Sequence, residues 1–135
     1  MNRPEPDSPL SSPLSRREAE ELEATLLPHL ERHHLRLLAH GLRSFQAMAG
    51  RDQGPLPSRQ QLEHWLDQQP EVAHDPGFRE AFRQQLIGLG QQLERIAEEA
   101  GGTPLALNLS QLIHWARGQA DNRLEQQQAH PGQHE

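Results

Sequence analysis

The segment "DPGFREAFRQQLIGLGQQLERIAEEAGG", residues 75–102, decides the fold. Asp75 followed by Pro76 is typical of a helix start, and Gly101–Gly102 is typical of a helix end. The apolar residues between them share one side of a helix, within a sector about 80° wide at about 100° per residue. They are Phe78, Phe82, Leu86, Leu89, Leu93, Ile96 and Ala100. The segment therefore predicts one long amphipathic helix that packs against a core.

Start signals elsewhere in the chain predict further helices. In three places a Ser or Asn precedes a Glu or Gln by three residues, which is the spacing of a capping box: Ser15 with Glu18, Ser58 with Gln61 and Asn108 with Gln111. We expect the first helix to run towards Gly50, with Pro28 kinking it or dividing it into two segments. The second helix should stop at Pro70, and residues 103–108 should be extended or form one short turn.

Composition favours helix throughout, because leucine dominates and there is no tyrosine. We predict an all-α protein, a single small domain of four to five helices that resembles a helical bundle and spans residues 15–126. Residues 1–14 are rich in Pro and Ser, and residues 127–135 are rich in Gln and His. Neither end has a periodic apolar face, so we predict disordered N- and C-terminal tails.

Several classes of function are disfavoured by composition. The chain has no cysteine, and its formal net charge of −6 repels nucleic acids and anionic membranes. No run approaches the roughly 18 apolar residues of a membrane span, and the first residues are not typical of a signal peptide. We therefore expect a soluble, cytoplasmic protein that binds neither nucleic acid nor membrane.

The segment "LPHLERHHLRLLAH", residues 27–40, contains four histidines that a helical wheel separates. His34 falls near the middle of a predicted apolar face, whereas His29, His33 and His40 lie on its flank. That face comprises Leu27, Leu30, Leu38, Leu42, Phe45 and Met48. The pair His29 and His33 has a spacing that can chelate a metal, and histidine titrates near neutrality, so metal-binding and pH-responsive functions stay as alternatives. The favoured interpretation is a hydrogen-bonded core or interface histidine, His34, beside an ordinary amphipathic flank.

Glycines inside helices point to helix crossings. Gly41 lies on the same line of the wheel as the first apolar face, and Gly88 and Gly90 interrupt the long striped helix. Each glycine costs about 1 kcal/mol of helix propensity relative to alanine, so a close approach or a bend is expected at these positions.

Residues 93–116 resemble a helix-turn-helix, which makes a DNA-binding regulator another alternative. Ala97 and Gly101 match the motif, and Pro104 could start its second helix. However, that second helix would carry no Lys or Arg before Arg117, so it lacks cations for phosphate contacts. The chain also lacks the motifs of nucleophile elbows, phosphate-binding loops and dinucleotide sites, so no enzyme, cofactor or resident metal is predicted.

The segments "LERHHLRLLAHGLRSFQAMAG", "GPLP" and "PLALNLSQLIHWA" resemble small uncharacterised helical proteins of cyanobacteria. The resemblance covers most of residues 16–117 and implies a bacterial, cytoplasmic setting without implying an activity.

We predict a non-catalytic adaptor, assembly or regulatory factor that acts through contacts with another protein. A homo-oligomer formed through the first long helix is a further alternative. The predicted partner-contact residues are His33, Arg36, His40, Arg43, Phe45 and Trp115.

Overall fold

The computed structural model describes residues 14–129 and confirms an all-α, single-domain fold, with no strand among these residues. Within these residues, six α-helices and one 3₁₀ turn follow each other, so the number of helices exceeds the predicted four to five. Their bounds are α1 Arg16–Glu23, α2 His29–Ala49, α3 Arg59–Asp67, α4 Pro70–Ala73, α5 Pro76–Ala100, the 3₁₀ turn Pro104–Ala106 and α6 Leu109–Ala129. The predicted tails, 1–14 and 127–135, lie mostly outside the described residues and stay predictions.

The helix starts lie where the start signals place them. The side chains of Ser15 and Ser58 each accept a hydrogen bond from the backbone N–H three residues later, at 3.1 Å. Asn108 accepts the N–H of Gln111 at 2.8 Å, and Asp75 accepts that of Phe78 at 3.1 Å. These acceptors satisfy N–H groups that the first helical turn leaves without partners.

Pro28 divides the first predicted helix into two. Of the two expected outcomes, a kink and a break, the structure shows the break. α1 ends at Glu23, and α2 begins at His29 directly after Pro28. A proline inside a helix removes one backbone hydrogen bond and clashes with the preceding turn, so a break here is the lower-energy arrangement. The turn between the two helices places Leu26 in the left-handed region, at φ 59°.

The short helix α4 is absent from the sequence-based prediction. Pro70 is expected only to end α3, but it also occupies the first position of the next helix, where its missing N–H costs nothing. This helix places Val72 in the core. Residues 103–108 contain one short turn, as one of the two expected outcomes, and the turn buries Leu105.

α2 lies at the centre of the fold and packs against α5 and α6. Glu31 and His34, near its start, contact Arg123 and Trp115 in reverse order along α6, so α2 and α6 are antiparallel. The buried face of α2 is rotated by about 45° from the predicted one, at about 100° per residue. It includes Glu31, Leu35 and Ala39, which the predicted face omits, whereas Leu30 is 61% exposed.

Two of the three glycines expected to mark helix crossings lie where α2 crosses α5. A Cβ on Gly41 would lie 3.1 Å from Leu89 of α5, and one on Gly90 would lie 3.4 Å from Phe45 of α2. The close approach considered for Gly88 does not occur, because nothing within 4 Å would meet a Cβ there.

Candidate protein-binding site

A groove with a volume of about 280 Å³ opens between α2, α5 and α6. We call it the His34 groove, and it is lined by Leu30, Glu31, His34, Gln92, Trp115, Ala116 and Gln119. The ring of His34 lies 5.7 Å from that of Trp115, centroid to centroid. Its Nε2–H donates to Oε1 of Gln92 at 2.5 Å. The groove thus combines a half-buried tryptophan and an oriented histidine with an apolar rim at Leu30.

The surface around the His34 groove is poor in charged side chains along three helices, and the Glu31–Arg123 ion pair lies at its edge. We call it the neutral face, and it consists of Leu30, His34 and Leu37 of α2, Gln85, Gly88, Leu89 and Gln92 of α5, and Gln111, Trp115, Gly118, Gln119 and Asn122 of α6. Within each helix these residues are three or four apart, or close to that spacing, and so share one side. The centres of protein interfaces are depleted of charged residues and enriched in aromatic ones. The neutral face has this character.

A buried ion pair lies at one edge of the groove and joins α2 to α6. Arg123 donates from Nε and Nη2 to the two carboxylate oxygens of Glu31, at 2.6 and 2.9 Å. Glu31 is only 8% exposed. The hydrogen bonds of Arg123 are the main cause that lowers the pKa of Glu31 below its usual value. The bidentate geometry fixes the start of α2 against the end of α6 and so sets the width of the groove there.

Two of the predicted contact residues, Arg36 and Arg43, are engaged within the chain. Arg36 pairs with Glu23, and Arg43 pairs with Glu18, so both arginines join α2 to α1. Arg43 also donates to Gln46 at 2.9 Å. The sequence suggests that this side of α2 faces solvent, but α1 covers part of it because Pro28 lets the chain fold back.

The other four predicted contact residues have different surroundings. Trp115 is half-buried in the His34 groove, and His33 is exposed on the flank of α2. His40 is half-buried, and its pKa is lowered, first by burial and second by the charge of Arg36. Phe45 is 4% exposed and packs against Gly90 in the core, so this fold leaves it no surface for a partner. The structure thus brings one of the six into the groove.

The sequence pattern missed three residues of the site. It places His34 on the apolar face but not among the contact residues, and it singles out neither Gln92 nor Arg123. Glu31 offers a signal for Arg123, since it lies four residues from both Leu27 and Leu35 and must be buried with them. A buried carboxylate requires a cationic or hydrogen-bonding partner.

The histidine flank is also a candidate metal site from its spacing. His29 and His33 are both exposed, and no group of three His, Cys, Asp or Glu residues that could hold a metal occurs in the described part of the chain.

The most strongly shifted carboxylate, Glu63, belongs to an ion-pair network between α3 and α5 and does not line the His34 groove. Arg83 donates to it at 2.7 and 3.0 Å and Arg79 at 2.9 Å, and these hydrogen bonds lower the pKa of Glu63 to about 2. Arg79 also binds Asp67 at 2.7 Å. The network joins α3 to α5. Because two arginines hold the carboxylate ionised, Glu63 is poorly suited to accept a proton.

The segment that resembles a helix-turn-helix departs from that motif in the structure. α5 ends at Ala100 and α6 begins at Leu109, so the connection has eight residues and includes a 3₁₀ turn. The motif joins its helices by about three or four residues. A second helix does not begin near Pro104.

None of the helices between residues 14 and 129 combines the length and the apolar character that a membrane span requires. A protein-family model described as "NDH complex assembly factor CRR9" matches residues 14–123. Neither a curated protein nor a solved structure matches the chain. The family match spans the first five helices and most of α6, and it is more specific than the resemblance to small helical cyanobacterial proteins. The chain belongs to the NDH complex assembly factor CRR9 family.

Proposed function

We propose that this protein is a non-catalytic assembly factor of the NDH complex, and that it binds its protein partner through the His34 groove and the surrounding neutral face. The family match over residues 14–123 carries the assignment to NDH complex assembly. The choice of surface rests on the neutral face, where the half-buried Trp115 is surrounded mainly by uncharged residues and the one carboxylate of the groove lining, Glu31, is paired with Arg123.

The proposal changes the set of predicted contact residues. Trp115 stays as the central contact, and His33 and His40 stay at the edge of the neutral face. Arg36 and Arg43 are left out because they hold α1, and Phe45 is left out because it is buried. His34 is added because it contacts Trp115 and is positioned by Gln92.

The family name and the surface together favour binding over catalysis. The carboxylates with shifted pKa values, Glu18, Glu31 and Glu63, are all lowered by hydrogen bonds from arginine. Ion pairs of this kind join helices and leave the carboxylates ionised. A cytoplasmic location, a homo-oligomer and the domain bounds 15–126 stay predictions, and light scattering of the purified chain tests the second.

Complementation tests the proposed function. In a host deleted for this gene, the wild-type chain should restore the assembled NDH complex, measured on native gels. Trp115→Ala should restore much less, because tryptophan is a frequent centre of binding energy. Trp65→Ala is the matched control, since Trp65 is also half-buried but packs against Phe82, outside the His34 groove.

Circular dichroism should show that both variants remain folded. Full restoration by Trp115→Ala would contradict the proposed surface. An unchanged amount of NDH complex in the deleted host would contradict the proposed function itself.

A further inference from the structure

Leu26, in the turn between α1 and α2, has an unusual backbone conformation for its type. Its φ is 59°, and the other described residues with positive φ are all glycines: Gly50, Gly54 and Gly101. In the left-handed region the Cβ of an L-residue crowds the following carbonyl oxygen, and a residue such as leucine rarely adopts it. Glycine or asparagine would fit this turn better.

The turn does not depend on the side chain of Leu26. Thr25 and Leu27, on either side, are both buried, and the Thr25 hydroxyl donates to the carbonyl of Leu22 at 2.9 Å. Pro28 further restricts Leu27 to an extended conformation. By contrast, Leu26 is 91% exposed, so its side chain gives this chain almost no burial in return for an unfavourable backbone.

Leu26 lies at the same end of the molecule as the other exposed large apolar side chains of the described residues. These are Leu30, in the first turn of α2, and Leu124, which is 46% exposed near the end of α6. Leu30 adjoins Glu31 in sequence and Leu124 adjoins Arg123, and the Glu31–Arg123 ion pair joins these two helix ends. We call this surface the leucine end.

The charges near the leucine end are mainly negative. Glu20 and Glu21 lie in α1 before the turn, and Asp121 and Glu125 lie on either side of Leu124 along α6. All four are exposed and make no ion pair within the described residues. The nearby cations are Arg32 of α2 and Arg123 of α6, and Arg123 is already paired with Glu31. A partner that covers the leucine end is therefore favoured if basic residues surround its apolar contact surface.

We propose that Leu26 is an anchor that inserts into an apolar pocket of a protein of the NDH complex, with Leu30 and Leu124 beside it and Lys or Arg residues around the pocket. This inference rests on the proposed function and adds a second contact surface to it. A second copy of this chain fits less well, because two leucine ends would bring their acidic residues together.

Substitution of Leu26 separates folding from binding. Leu26→Gly removes the side chain and adopts positive φ readily, and Leu26→Asn tolerates it while presenting a polar group. Leu26→Met is the control, because it keeps a long apolar side chain. The tagged chains are used as bait in host extract, and the recovered subunits of the NDH complex are quantified by mass spectrometry. The melting temperature and oligomeric state of each variant are measured in parallel.

We expect Leu26→Gly and Leu26→Asn to melt at or above the wild-type temperature and to recover the subunits about tenfold less, as for a central anchor. Leu26→Met should recover them nearly as well as the wild type does. Wild-type recovery by Leu26→Gly would overturn the anchor alone and leave the proposed function standing. A lower melting temperature for Leu26→Gly would also overturn it, because the side chain would then stabilise this chain itself.

Two further outcomes would also overturn the anchor. If the wild type is a dimer that Leu26→Gly dissociates while subunit recovery stays unchanged, the occupant is a second copy and the inference is wrong. If the wild-type bait recovers no NDH subunit, the proposed function fails and the anchor fails with it.

Discussion

The two sides of α2 use their polar residues differently. On one side, Arg36 and Arg43 form ion pairs with Glu23 and Glu18 of α1, so charges that look available in the sequence are engaged inside the chain. On the other side, the His34 groove is free of exposed charge and retains a half-buried tryptophan. In this protein, therefore, neutral residues around an aromatic side chain indicate the candidate binding surface better than arginines do.

The largest effect should come from the ion pair at the edge of the groove. Arg123→Ala leaves the buried carboxylate of Glu31 without its cation, and we expect the largest loss in the free energy of unfolding at pH 7 among these variants. Urea denaturation measures it. Because Arg123 holds the pKa of Glu31 below its usual value, the contribution is present above the usual carboxyl range and is lost as the pH falls below it. The difference between wild type and variant should therefore shrink in acid.

Glu31→Gln provides the matched control for this ion pair. It leaves Arg123, whose side chain is 37% exposed and can be hydrated, so it should cost only about 1 kcal/mol. Equal losses in the free energy of unfolding for Arg123→Ala and Glu31→Gln would contradict this reasoning. They would mean that an unpaired Glu31 costs no more than an unpaired Arg123.

The Glu63 network provides a second ion-pair test, because it is less exposed than the Arg36–Glu23 pair and more exposed than Glu31. Glu63→Gln should lower the free energy of unfolding by about 1 kcal/mol at pH 7, because the network is partly exposed. The folded pKa of about 2 lies below the ordinary glutamate value of 4.5, so the stabilisation is complete above that value and is lost as the pH falls from 4.5 to 2. Acid titration of unfolding should show a shallower dependence in this window for Glu63→Gln. Glu20→Gln, at an exposed and unpaired position, should leave the dependence as in the wild type.

Gly88→Ala tests whether the neutral face is already used within the free chain. Nothing would lie within 4 Å of the new Cβ, so the variant should be more stable by about 0.5–1 kcal/mol through helix propensity alone. Gly90→Ala is the contrasting variant, because its Cβ would approach Leu56 at 3.0 Å and Phe45 at 3.4 Å. We expect a higher melting temperature for Gly88→Ala than for Gly90→Ala. The reverse order would show that Gly88 has a packing role in the free chain.

The smallest effect is expected on the charged side of α2. Arg36→Gln removes an exposed ion pair with Glu23 and should change the free energy of unfolding by at most about 0.5 kcal/mol. In the complementation assay it should restore the NDH complex as the wild type does. A defect as large as that of Trp115→Ala would move the binding surface to the opposite side of the helix.

Local signals predicted the helix starts because a capping hydrogen bond spans only three residues. Ser15, Ser58, Asp75 and Asn108 each cap a helix where expected. The stripe of α5 also predicted its buried side, with Leu86, Leu93 and Ile96 in the core.

Long-range contacts determined what the local signals missed. The helical wheel of α2 placed Leu30 and His34 on the buried face, because it was drawn through the apolar residues alone. It could not include Glu31, which is buried because Arg123 pairs with its carboxylate. The spacing of Glu31 from the leucines favours its burial, but Arg123 lies 92 residues away in sequence, so no local pattern identified the cation that makes this burial possible. The packing of α1 against Arg36 and Arg43 could not be inferred either. Pro28 is compatible with a kink or a break, and only a break lets α1 fold back onto α2.

The break at Pro28 also bears on how the molecule opens. α1 has eight residues and buries one of them, Leu22, within the helix itself, whereas α2 buries seven. Detachment of α1 therefore exposes little apolar surface and breaks two salt-sensitive ion pairs, while α2 stays packed against α5 and α6. Amide protons of α1 should exchange with solvent through such local openings well before those of α2, and added salt should speed the exchange in α1 most.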